Sequence, residues 1–104
     1  MQVKEGAIIA GLHPSMRRAM AYADTIWTEA GEELVVTAGL DGGHSAGSLH
    51  YCGRAVDLRT RYFSPEVQVQ VASSLRRELG RHQYYDVIMH STHIHVEYDH
   101  PRWK

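Results

Sequence analysis

One cysteine, Cys52, is all the thiol chemistry this 104-residue chain has. An internal disulfide is therefore excluded, and so is a cysteine-rich zinc site. Basic excess is missing too: eleven Lys and Arg stand against twelve Asp and Glu, for a formal charge of -1. Sustained neutralisation of phosphates needs a positive surplus, so nucleic acid is not an expected partner. Long apolar runs are absent. Stretches such as Ala7 to Ala10 fall far below the roughly 20 residues that cross a bilayer. No charged-then-apolar leader opens the sequence, and the expectation is a monomer without a membrane partner, made as a soluble cytoplasmic protein. A hydrophobic share of 43% and a charged share of 22% are ordinary for a globular protein, and the length fits one domain over residues 1–104.

Histidine is what the chain does hold in quantity. There are eight, and His44, His50, His90, His93 and His95 fall in two short segments. Imidazole is the commonest metal ligand and the acid-base group of neutral pH, which makes the clustering a functional signal.

Residues 1–12 read as an irregular arm or a first short strand. His13-Pro14-Ser15 opens a helix whose Met16, Ala19, Met20, Ala23, Ile26, Trp27 and Ala30 recur at three and four spacing until Gly31. Leu34 to Ala38 reads as a strand. The following segment, Gly39 to Gly47, carries four glycines, but it lacks the Gly-Lys-Ser/Thr ending of a phosphate loop. Arg54 to Thr60 is a second strand, with Val56 and Leu58 on one face and Ala55, Asp57 and Arg59 on the other. Ser64-Pro65-Glu66 caps a helix that runs through Val67, Val71, Leu75 and Leu79 to Gly80. Two β-prone runs, Tyr84 to Met89 and Thr92 to Tyr98, form an antiparallel pair before Pro101. The predicted fold class is α+β, with helices packed on one face of a small, mainly antiparallel sheet and the metal site on the sheet.

Strand alternation places His93, His95 and Glu97 on one face and Ile94, Val96 and Tyr98 on the other. A second segment, Ser48 to Asp57, holds a His before a strand and an Asp within it. If the two segments are neighbours, two imidazoles and a carboxylate converge as nitrogen and oxygen ligands, with a fourth tetrahedral position left for water. A His-x-His pair alone is a weak signal, since half-exposed strands often carry solvated histidines.

The stretch SLHYCGRAVDL, followed some 35 residues later by HIHVEYD, resembles the D-Ala-D-Ala metallopeptidase and hedgehog superfamily. Its pattern Ser-x-His-x-x-Gly-x-Ala-x-Asp is filled by Ser48, His50, Gly53, Ala55 and Asp57. The first segment is most similar to the hedgehog amino-terminal signalling domain, while the second is typical of bacterial and phage cell-wall peptidases. The likeness covers roughly Thr37 to Asp99. It implies a zinc ion (Zn2+) held by His50, Asp57 and His95, with His44 and His93 as further site histidines. It also implies hydrolysis of peptidoglycan stem peptides or other D-amino-acid peptides at the bacterial cell wall, as a D,D-carboxypeptidase, D,D-dipeptidase or L,D-endopeptidase. In that chemistry zinc polarises the carbonyl and acidifies water.

Two features depart from the family. Its catalytic carboxylate lies three residues before the final ligand, or slightly further upstream, where this chain has Thr92, His90 and Met89. Substitutes for the base are His90, His93 and Glu97, the first two ranking higher. The family's carbonyl-binding arginine is also replaced, by Leu40 and Asp41, which leaves a protonated His44 or His93 to stabilise an oxyanion. Arg54, Arg59 and Arg61 are candidates for holding a substrate carboxylate. Cys52 occupies a variable motif position, and a hedgehog-like calcium site is not expected. The alternative to an enzyme is a zinc-stabilised, non-catalytic binding module of hedgehog type.

Overall fold

Two amphipathic helices dominate one side of the molecule because their apolar residues recur on a single stripe. A computed structural model describes residues 1–40 and 53–101 of the chain. Within them the elements run β1 (Gln2–Val3), α1 (Pro14–Glu29), β2 (Val35–Ala38), β3 (Ala55–Arg59), α2 (Pro65–Leu79), β4 (Tyr85–Met89) and β5 (His93–Tyr98). The fold is α+β, as the periodicities imply.

Helix α1 starts where Pro14, with no N–H to leave unsatisfied, fills the first turn. Its cap is His13, whose Nδ1 accepts from the Ser15 backbone N–H at 3.1 Å. Helix α2 begins in the same manner, with Ser64 Oγ accepting from the Val67 N–H at 3.3 Å and Pro65 behind it.

The strands form one sheet in the order β1-β2-β3-β5-β4. All pairings are antiparallel except that of β1 with β2. The short N-terminal segment is thus a parallel edge strand, with Gln2 opposite Val35. Strands β4 and β5 form a hairpin closed by His90 N–H donating to His93 O at 2.9 Å.

Both helices pack on the same face of the sheet. Met16, Ala23 and Trp27 of α1 and Val71, Leu75 and Leu79 of α2 join Val36, Val56, Leu58, Ile94 and Val96 in one buried cluster. Trp27 is fully buried, and its indole N–H donates to the Arg59 carbonyl at 2.8 Å. That bond ties α1 to the end of β3, so the strand bearing Asp57 is held from the core side. Residues alternating with the core set point to the opposite face.

Tyr85 is a sheet and core residue, its hydroxyl donating to Ser15 O at 2.8 Å. Tyr84 differs: it precedes β4 with a φ of 75° and lies against His100, with ring centroids 4.4 Å apart.

Candidate metal centre

Gly53 and Ala55, two residues of the first motif, have physical reasons for being small. Gly53 adopts a φ of +71°, and a Cβ there would sit 3.0 Å from the Gly11 carbonyl oxygen. Its own carbonyl accepts from His13 N–H at 2.7 Å, so the chain entering β3 is pinned against the start of α1. Ala55 is fully buried.

From there β3 runs between β2 and β5. A register shift in β2 between Val36 and Ala38 sets Ala38 opposite Asp57, and Thr37 Oγ1 donates to the Asp57 carbonyl at 3.4 Å. Irregularities of this kind re-aim side chains beside functional sites.

On the other flank, Asp57 is the direct antiparallel partner of His95, and Arg59 that of His93. Directly opposed residues in such a ladder project to the same side, so Asp57 and His95 meet. Asp57 Oδ1 lies 2.9 Å from His95 Nδ1, with the two side chains 15% and 18% exposed. The other imidazole nitrogen, Nε2, lies 3.1 Å from Glu97 Oε1. His95 is therefore held between two carboxylates. His93 approaches from the next position, its Nε2 3.9 Å from Asp57 Oδ2 and its Nδ1 3.0 Å from Thr92 Oγ1. His90 stacks on His93 with ring centroids 4.8 Å apart and stands 6.5 Å from the His95 ring.

The donor chemistry suits zinc. A nitrogen and a carboxylate oxygen facing each other at 2.9 Å can share one ion whose bonds are about 2.0–2.2 Å long, with a small opening of the pair. Of the residues singled out in the sequence, Asp57, His90, His93, His95 and Glu97 come together. His44, His50 and Cys52 lie outside the described residues. Arg59 is half-buried on the site face, and Arg61 is exposed.

Sequence reasoning missed two acids, Asp86 and Asp99, that join Glu97 beside the site. Oxygens of Asp86, Glu97 and Asp99 lie within 4.8 Å of one another. Asp86 is the cross-strand partner of Glu97, a like-charge opposition that costs stability. The β4–β5 pairing would have revealed it had the register been known. Exposed acids of this kind are common without an ion.

The hydrogen bond that the protonated ring donates to Asp57, reinforced by the charges of Asp57 and Glu97, raises the His95 pKa above the ordinary 6.5, against partial burial, which lowers it. With no metal, the folded value exceeds the unfolded one. The imidazolium's contribution to stability is then complete below about pH 6.5 and is lost as pH rises through the raised folded value. A metal ion competes with the Nδ1 proton, so zinc affinity runs the opposite way. Titrations against a competing chelator between pH 5.5 and 8 are expected to show affinity falling as pH drops, with the fall starting above pH 6.5. A pH-independent affinity would remove His95 from the ligand set.

Among the described residues, no helix is long and apolar enough to cross a membrane. Compared with known proteins, the chain matches no family model and no curated sequence.

Proposed function

We propose that this chain is a zinc-dependent peptidase of the D-Ala-D-Ala metallopeptidase and hedgehog type, hydrolysing peptide bonds of bacterial cell-wall stem peptides. The observation that carries the reading is the Asp57–His95 pair across β3 and β5, at 2.9 Å. Two members of the motif's ligand set are thereby in contact, although 38 residues separate them in the chain. His50, from the same motif as Asp57, would be the third ligand.

Held by these three residues, zinc would polarise a peptide carbonyl and bring the pKa of water to about 7. His93 is the best-supplied proton acceptor. When its Nδ1–H donates to Thr92 Oγ1, Nε2 keeps its lone pair on the side of Asp57 Oδ2, 3.9 Å away. A base within one water of the reacting proton has the geometry general base catalysis needs. His90 stacks against that ring and limits its rotation. Arg59, opposite His93 on the same face, suits a substrate carboxylate, which a guanidinium binds through two parallel hydrogen bonds. With His93 as the base, a protonated His44 is the group left to stabilise the oxyanion in place of the family's arginine.

The test is incubation of the zinc-loaded protein with a stem pentapeptide ending in D-Ala-D-Ala, followed by mass spectrometry. Release of D-Ala, D-Ala-D-Ala or an internally cut fragment is expected, and it should stop on chelation. His93→Ala is expected to lower kcat by about 10²–10⁴ with zinc still bound. If the zinc-loaded protein releases no fragment, the enzymatic reading fails. The second reading then stands: a zinc-stabilised binding module, favoured by a hydroxyl at Thr92 where the family carries its carboxylate.

A further inference from the structure

We infer that Glu97 is a positioning residue, which sets the tautomer of His95 so that Nδ1 is the nitrogen available to a metal ion. The inference rests on the zinc reading proposed above and assigns Glu97 a role other than that of base. Residues 95 and 97 project to the same side of β5, and Glu97 Oε1 lies 3.1 Å from His95 Nε2. The Glu97 side chain is 21% exposed, so the bond is partly screened from water.

A neutral imidazole carries one proton on one of its two nitrogens. Asp57, at 2.9 Å from Nδ1, pulls that proton towards itself, which would leave Nδ1 blocked and the lone pair on Nε2, facing away from the carboxylate that shares the site. Glu97 opposes this pull by stabilising the proton on Nε2. The lone pair then lies on Nδ1, towards Asp57 Oδ1, and nitrogen and oxygen can take one ion between them. Metal-ligating histidines commonly donate their second N–H to a carboxylate, which orients the ring and strengthens the ligand. Asp86 and Asp99, with oxygens within 4.8 Å of the Glu97 carboxylate, repel it and add to its preference for the His95 N–H.

The role also explains why Glu97 is a poor base: its oxygen is engaged behind the ligand, on the side of the ring away from Asp57. The experiment compares the full chain with its Glu97→Ala and Glu97→Gln variants. Zinc affinity is measured by chelator competition, the ligating nitrogen by ¹⁵N NMR of the His95 ring, and the metal-free fold by circular dichroism. Glu97→Ala is expected to weaken zinc binding by about 10–100-fold with an unchanged metal-free spectrum. Glu97→Gln keeps a side-chain oxygen that can accept from Nε2–H and should stay within several-fold of the parent. In the parent, His95 should be ligated through Nδ1.

Equal zinc affinity in Glu97→Ala and the parent, or ligation through Nε2, would overturn the role of Glu97 while leaving zinc binding intact. A parent chain that binds no zinc would overturn both. An effect of Glu97→Ala on the metal-free fold as large as that on zinc binding would make Glu97 structural and count against the proposal.

Discussion

Asp57→Asn is expected to weaken zinc binding by more than about 100-fold and to reduce peptide hydrolysis to background. The substitution keeps the side chain's shape and one oxygen acceptor, so packing within β3 should be unchanged. It removes the charge. Asp57 is 15% exposed and offers Oδ1 to His95 at 2.9 Å and Oδ2 to His93 at 3.9 Å, so one carboxylate serves both histidines. Loss of groups that only support a metal ligand costs 10–100-fold, and loss of the ligand itself should exceed that. Metal content and turnover, measured on the same preparation, check the outcome. Undiminished zinc affinity would show that Asp57 is not a ligand and would leave its contact with His95 as an ordinary ion pair.

Chelation should lower the melting temperature by about 15–30 °C when the parent is compared at free zinc 1,000-fold above its dissociation constant. At that saturation a ligand that binds only the folded state stabilises it by about 4 kcal/mol. In a chain near 100 residues each kcal/mol moves the midpoint by about 4–8 °C. Stabilisation should be prominent here because the proposed ligands lie on different segments, with β3 and β5 joined through the ion. Circular dichroism melts with and without chelator decide the matter. A metal-independent midpoint would remove both the peptidase and the binding-module readings, whereas zinc-dependent melting without turnover would leave the module. Asp57→Asn, melted in parallel, should be indifferent to chelator.

Much of this arrangement was legible locally. The four-residue recurrence of Val67, Val71, Leu75 and Leu79 marked α2, and Pro14 and Pro65 marked both helix starts. Alternation in HIHVEY separated His93, His95 and Glu97 from Ile94, Val96 and Tyr98, and the burial of Ile94 and Val96 agrees. Other features were hidden for identifiable reasons. His13 was not recognised as a cap because histidine is not among the favoured capping residues. Residues 1–12 read as an arm or a first short strand, but the Gln2–Val3 strand is two residues long, too short for any period to fix its bounds or its parallel pairing with β2. Glu97 ranked last as a base on spacing, but spacing along a strand could not reveal that its carboxylate engages His95 Nε2.

The chain's sequence by itself determined which residues share a face of each strand, since alternation follows from backbone geometry within a few residues. It thereby determined that His95 and Glu97 would lie together and that Asp57 would point away from Val56 and Leu58. Only the tertiary structure decided that β3 pairs with β5 in the register that sets Asp57 against His95, with β4 outside them. That choice is made by the helices burying one face of the whole sheet, because a slip of one residue would turn every apolar side chain of the strand to the wrong side. The two carboxylates flanking His95, and with them the nitrogen it presents, follow from that register.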